Sequence, residues 1–214
     1  MTTDLATRPR VGVVLGSSRG RQRLGDRVAR FVLATAEKVP EADFALFDLA
    51  SYRLPFFDED VAPWENPARH PAPSVARWLA DVATADGYLF LVPEYNLAVP
   101  AVVKNALDLL AHEAAVKPAS ILSYSDTSYG GVTAGHELRL VLSKLEMLPL
   151  PKTIPLAHAE QLFDPDGTLV AESGFARVIA AYLPHILREL VAYATALRPL
   201  RQEMSTWTSW REAL

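Results

Sequence analysis

Short apolar runs alternate along this chain with longer stretches whose apolar residues recur at helical spacing. That rhythm confines it to a parallel sheet covered by helices on both faces. Val11-Gly-Val-Val-Leu15 is the first such run, closed by Gly16, and Phe44-Ala-Leu-Phe-Asp48 reads as the second strand. Between them, residues 24–38 carry Val28, Phe31, Val32 and Thr35 at helical spacing, with Pro40 beyond the end. Gly87-Tyr-Leu-Phe-Leu-Val92 is apolar without interruption, as a strand buried on both faces should be. Ser74 is expected to cap a helix reaching about Thr84, and Pro100 or Ala101 to open another reaching about His112. Ala119-Ser-Ile-Leu-Ser123 is the fourth strand, followed by a helix over 132–147. The prolines within 150–156 place a fifth strand at the sheet edge. A turn over 163–170 and a long helix over 175–197 complete the pattern.

Five strands so covered fit an α/β three-layer sandwich with a five-stranded parallel sheet of order 2-1-3-4-5. In that order a ligand sits where the connections after strands 1 and 3 diverge, bordered by the loop after strand 4. One domain over 1–200 and a tail over 201–214 are expected. Trp207 and Trp210, three apart in that tail, would share one side of a helix. The 214 residues are enough for one large core without disulfide or metal. Cysteine is absent, which removes disulfides, thiolate catalysis and Cys-ligated metals. A net charge of −4 argues against a nucleic-acid partner. No apolar run reaches the length of a membrane span, and the first ten residues lack the apolar stretch of a secretory signal. A cytoplasmic protein is the expectation. The five histidines lack metal-binding spacing, and no metal site is expected.

Unusual residues concentrate in the three loops that the fold singles out. Gly16-Ser-Ser-Arg-Gly-Arg-Gln-Arg-Leu-Gly25 offers amides, hydroxyls and guanidinium groups at the start of a helix, the donor set a phosphate needs. It has neither Gly-Lys-Ser/Thr nor Gly-x-Gly-x-x-Gly, so a monophosphate fits better than a nucleoside triphosphate or a dinucleotide. A merely exposed basic loop is the plain alternative. Pro93-Glu-Tyr-Asn96 ends the third strand with an aromatic and an amide where small turn residues are usual, and could edge a planar heterocycle. In Ser123-Tyr-Ser-Asp-Thr-Ser-Tyr-Gly-Gly131 the glycine pair would let backbone approach a flat ligand. The long irregular stretch from Leu54 to Pro73 contributes Phe56 and Phe57 as candidate walls of an acceptor pocket.

Gly16-Ser-Ser-Arg19, Pro93-Glu-Tyr-Asn96 leading into Pro100-Ala-Val-Val-Lys-Asn-Ala-Leu-Asp-Leu-Leu110, and Gly130-Gly131 together resemble the NADPH-dependent FMN reductase family, with the motifs in the correct order. The resemblance implies a flavodoxin-like fold, bound FMN, and NADPH or NADH as reductant. It implies that Ser17, Arg19 and a neighbouring basic residue hold the FMN phosphate; of Arg21 and Arg23, Arg23 is preferred. It implies that Pro93, Glu94, Tyr95 and Asn96 contact the isoalloxazine edge, and that Ser125, Tyr129, Gly130 and Gly131 border the ring from its other side. Hydride would pass from nicotinamide through FMN to a small acceptor: a quinone, azo compound, nitro compound, chromate or flavin. Such a cycle needs no side-chain nucleophile or titrating acid, and none is named. A homodimer or homotetramer is implied by the same resemblance. A non-catalytic electron carrier and a flavin-binding interaction module are the alternatives. Carriers of that kind tend to be strongly acidic, whereas here the first loop holds Arg19, Arg21 and Arg23 and the net charge is mild.

Overall fold

The computed structural model describes residues 8–20, 23–66, 68–170 and 174–204. The expected sheet forms, from β1 (Arg10–Leu15), β2 (Asp43–Asp48), β3 (Gly87–Pro93), β4 (Pro118–Tyr124) and β5 (Leu148–Leu156). All four pairings are parallel and the order is β2-β1-β3-β4-β5. The helices are α1 (Leu24–Ala36), α2 (Leu49–Tyr52), α3 (Pro73–Thr84), α4 (Ala101–Asp108), α5 (Val132–Lys144), α6 (Ala159–Leu162) and α7 (Gly174–Met204).

Strand alternation decides which residues meet which helices. Val11, Val13 and Leu15 of β1, Leu89 and Leu91 of β3, and Leu122 and Tyr124 of β4 face α1 and α7, where Val28, Val32, Leu183, Leu187 and Leu190 close one core. Val14, Tyr88, Phe90, Val92 and Ile121 point the other way, into a second core with Trp78 of α3, Val103 and Leu107 of α4, and Leu138 and Leu142 of α5. Trp78 donates its indole N–H to the Ala106 carbonyl at 2.8 Å, tying α3 to α4. β3 and β4, buried at every position, are the centre of the sheet. β5 is the proline-bearing edge that its composition predicts.

Several element ends differ from expectation: α1 stops at Ala36 and α5 at Lys144, two and three residues early, and β5 starts two residues early at Leu148. Ser74 does not cap α3: Pro73, with its fixed φ and no N–H to satisfy, takes the first helical position and leaves Ala72 as the cap. α4 stops at Asp108, short of His112. α7, held to the sheet by its buried face from Ile179 to Ala194, continues past the expected end at 197 through Pro199 to Met204, where Arg198 and Arg201 both pair with Asp86 at 2.7 Å. The helix thereby runs across the expected domain boundary at residue 200. Trp207 and Trp210 lie outside the described residues.

At the amino end of the sheet, Lys117 is 4% exposed and its ammonium donates to the carbonyls of Val82 and Ala83, both at 3.0 Å, closing the end of α3. Burial pushes this amine down to about 8, with Arg201 adding to the effect against Asp86 and Glu113. The unfolded chain keeps the proton up to about pH 10.4, so between about pH 8 and that value it binds more protons than the folded chain, and stability rises with pH. Urea unfolding is expected to show a gain of about 2 kcal/mol from pH 7.5 to 9.5 that Lys117→Met lacks. Equal pH profiles would refute it. At higher pH the trend reverses, because burial raises the phenols of Tyr52, Tyr88 and Tyr124 and the folded chain resists their ionisation.

Candidate functional site

The carboxyl ends of β1, β3 and β4 open onto a cleft of about 420 Å³, within the range of small-molecule sites. Each loop singled out from the sequence contributes. From the first come Ser17, Arg19, Gly20, Arg23, Leu24 and Gly25; from the second, Pro93, Glu94 and Tyr95; from the third, Tyr124, Ser125, Asp126 and Thr127. Glu160 of α6 completes the wall.

In the first loop Ser17 is buried, and its hydroxyl lies 3.2 Å from that of Tyr95. Arg19 is exposed and pairs with no carboxylate among the described residues. Arg23 differs. Its side chain is only 7% exposed; Nε donates to Asp26 at 2.8 Å, one terminal nitrogen reaches Asp48, and the other donates to the Ser17 carbonyl. Burial alone would lower its pKa, but the hydrogen bonds it donates to Asp26 and Asp48, with their negative charge, outweigh that and raise it, fixing the positive charge. All three nitrogens of the guanidinium are engaged by the protein itself.

The second loop forms a tight hairpin. Tyr95 and Ala98 exchange both backbone hydrogen bonds, at 3.1 and 3.0 Å, and the two residues between them, Asn96 and Leu97, have φ of 53° and 62°. Two positive φ values in a two-residue turn match the twist of a hairpin; asparagine tolerates the first, whereas leucine at the second stores strain. Leu97 is nonetheless 69% exposed. The Glu94 carboxylate turns away from the turn and accepts the N–H groups of Thr133 and Ala134, at 3.0 and 3.1 Å, capping α5. Beyond the turn, Asn105 clamps the long loop by donating to the Pro55 carbonyl and accepting from Phe57 N–H, while Lys104 pairs with Asp108 one turn on. That division of labour accounts for the Lys-Asn-Ala-Leu-Asp run.

In the third loop Ser123 donates to the Gly130 carbonyl at 2.9 Å, and the Ser125 and Thr127 hydroxyls lie 2.8 Å apart. Gly130 and Gly131 have φ of 62° and 74°, and their open faces meet the protein's own backbone rather than the cleft. A Cβ on Gly130 would fall 2.9 Å from the Ala157 nitrogen, and one on Gly131 would fall 3.0 Å from the Tyr124 backbone.

Of the residues expected at the site, Ser17, Arg19, Arg23, Pro93, Glu94, Tyr95 and Ser125 line this cleft, whereas Asn96, Tyr129, Gly130 and Gly131 do not. Phe56 and Phe57 line a different concavity of about 460 Å³ together with Glu59, Arg69 and Val75. Gly20, Leu24, Gly25, Tyr124, Asp126 and Thr127 line the cleft as members of the three loops that had been given no role of their own, and Glu160 lies outside those loops. A hydroxyl-bearing aromatic at the end of a buried strand was the available sign for Tyr124; Glu160 arrives from beyond β5 and carried none. Among the described residues no cluster of three or more histidines and carboxylates is arranged for a metal, and no helix is long and apolar enough to cross a membrane.

The sheet order and the cleft at its topological switch point define a flavodoxin-like α/β protein. Residues 9–161 match the family described as NADPH-dependent FMN reductase, and the chain belongs to that family. It is 33% identical over 190 residues to the NAD(P)H-dependent FMN reductase ntnL of Nectria sp, covering 85% of this chain and 93% of that protein. It is 32% identical over 166 residues to a quinone reductase of Pseudomonas putida, covering 74% and 83% respectively. The solved structure of FerB, a flavoenzyme NAD(P)H:(acceptor) oxidoreductase from Paracoccus denitrificans, shares the fold at a TM-score of 0.70 and 22% identity, over 88% of this chain and 98% of that one. The protein is accordingly an enzyme, an oxidoreductase using FMN with NAD(P)H as reductant.

The cleft suits that cofactor. The amino end of α1 borders it through Arg23, Leu24 and Gly25, and a helix start brings free N–H groups and the positive end of the dipole, beside Ser17 and Arg19. The Tyr124 hydroxyl is buried there with no hydrogen-bond partner, a donor awaiting an acceptor.

Proposed function

We propose that the chain holds FMN in the cleft between the first, second and third loops and reduces a small acceptor at the expense of NADPH or NADH. The observation that carries this reading is the meeting of a donor-rich helix start with the Pro93–Tyr95 turn and the Ser125–Thr127 loop in one cleft. Bound FMN supplies the hydride-accepting and electron-donating chemistry; the protein binds, orients and shields it. Ser17, Arg19 and the first turn of α1 take the phosphate. The backbone of Pro93–Tyr95, held rigid by the hairpin and by the Glu94 cap on α5, edges the ring on one side. The third loop, fastened to β5 and α6 through Ser125 N–H to Leu156 and Ala159 N–H to Ser125, borders it on the other. Asn96, Tyr129, Gly130 and Gly131 act by shaping these two loops. Arg23 acts by holding Ser17.

The acceptor is a quinone, with azo compounds, nitro compounds, chromate and free flavin as further members of the range. The quinone reductase among the relatives supports the first. The working unit is a homodimer or homotetramer in the cytoplasm; large apolar side chains exposed on the loops, Phe56, Trp64, Leu97 and Tyr129, supply surface for a second copy.

The test is the visible spectrum of the purified protein, then anaerobic addition of NADPH, then quinone. Yellow absorption that bleaches with NADPH and returns with quinone is the expected result. A flavin that bleaches but turns over no acceptor without a protein partner would make the chain an electron carrier, and the absence of bound or bindable FMN would end the proposal. Arg19→Ala is expected to weaken FMN binding by about 1–3 kcal/mol, the scale of a charge-assisted hydrogen bond, with a shallower dependence on salt. Unchanged binding in a flavin fluorescence titration would remove Arg19 from the phosphate.

A further inference from the structure

Three tyrosines are buried among the described residues, and two have partners. Tyr52 donates to Asp81 at 2.7 Å and Tyr88 to the Val82 carbonyl at 2.6 Å. Tyr124, 2% exposed, has no partner in hydrogen-bond geometry: the Ser17 hydroxyl beside it is engaged with that of Tyr95 at 3.2 Å, and the residue lies in the wall of the cleft. A buried phenol without a partner costs stability that phenylalanine in the same place would not, so it calls for an explanation.

The surroundings are built to bring this hydroxyl to the cleft. Tyr124 is the last residue of β4, on the face that packs toward α1. Gly25, the second residue of α1, is the neighbour that admits it: a Cβ there would lie 2.6 Å from the Tyr124 hydroxyl oxygen. Glycine so near a helix start is unfavourable for the helix, and here it leaves room for the phenol. Burial raises the pKa of the group, so at neutral pH it is a donor. What it lacks is an acceptor, and the start of α1 is where the helix dipole and free N–H groups gather an anion.

We propose that Tyr124 donates its hydroxyl to the phosphate of bound FMN, as the third hydroxyl of a set with Ser17 and Tyr95, brought together by the end of β4 and the loops after β1 and β3. The inference rests on the placement of FMN given above. Among the described residues Arg23 is occupied by Asp26, Asp48 and Ser17, so the neutral hydroxyls share phosphate recognition with Arg19; Arg21 lies outside the described residues.

The test compares the wild-type apoprotein with Tyr124→Phe. Both are titrated with FMN and with riboflavin by quenching of flavin fluorescence, both apoproteins are melted, and the phosphorus resonance of bound FMN is recorded in each. The expected result is an FMN dissociation constant raised about ten- to a hundredfold, riboflavin affinity within about twofold, a displaced phosphorus resonance, and an apoprotein that melts at or above the wild-type temperature. Unchanged FMN affinity, an unmoved phosphorus resonance, or equal weakening of both flavins would overturn the assignment. So would a variant that fails to fold or melts lower as apoprotein, since the hydroxyl would then serve the fold. Failure of the wild-type protein to bind FMN would instead overturn the placement of the cofactor.

Discussion

Gly130→Val is expected to lower the stability of the apoprotein by about 2–6 kcal/mol. Two costs add. A β-branched residue at φ 62° sits in a region that L-residues avoid, at about 1–3 kcal/mol. Its Cβ would also meet the Ala157 nitrogen at 2.9 Å, the Pro155 carbonyl carbon at 2.9 Å and that of Leu156 at 3.0 Å. All three are backbone atoms, two at the end of β5 and one in the residue after it, and cannot rotate aside, so the overpacking adds about 1–3 kcal/mol. Against a typical total of about 5–15 kcal/mol this brings the protein near its threshold. Gly20→Val is the control: nothing lies within 4 Å of its added Cβ, and its effect is expected within about 0.5 kcal/mol. Urea denaturation of the two apoproteins decides it, and a loss below about 1 kcal/mol for Gly130→Val would refute it. The result bears on function, because loss of FMN by this variant would follow from a displaced third loop and not from a valine against the ring.

The glycine pair illustrates what sequence can and cannot reveal. That Gly130 and Gly131 adopt special backbone geometry is legible from residue type; that their close neighbours are the chain's own backbone, at the ends of β5 and β4, is a tertiary fact. The sandwich itself was legible because β3, buried at every position, is apolar throughout, while β5 advertises its edge by its prolines. The three loops were legible because a sheet of order 2-1-3-4-5 dictates where they converge. The roles of individual side chains were less so. Glu94 stands within a binding motif, yet its carboxylate caps a helix that begins 38 residues later at Val132. Asn105 stands within a helix and fastens a loop 50 residues earlier. Ser74 has the chemistry of a cap but is displaced from that position by the proline before it. In each case the deciding partner is remote in the chain or the competition is between neighbouring residues.

Arg23 is the sharpest instance, and its replacement by methionine is expected to cost about 2–3 kcal/mol of apoprotein stability. Removing one member of a buried ion pair costs about 3–5 kcal/mol when the partner is left uncompensated. Here Asp26 and Asp48 retain 31% and 28% exposure, so water recovers part of that cost. The Ser17 carbonyl also loses its donor, which loosens the loop at the carboxyl end of β1. FMN affinity is expected to fall as a consequence, and Arg23→Lys to restore little of either property, since an ammonium cannot span three acceptors in one plane. A residue that touched phosphate directly would behave otherwise: FMN affinity would drop while the apoprotein melted as before. The double variant Arg23→Met with Asp48→Asn separates the two. If the guanidinium is a strut between Ser17 and the carboxylates, the stability losses are non-additive by about 1–2 kcal/mol, because removing the charge of Asp48 relieves the burden left by Arg23→Met. Additive losses, or an apoprotein of wild-type stability in Arg23→Met, would return Arg23 to the phosphate.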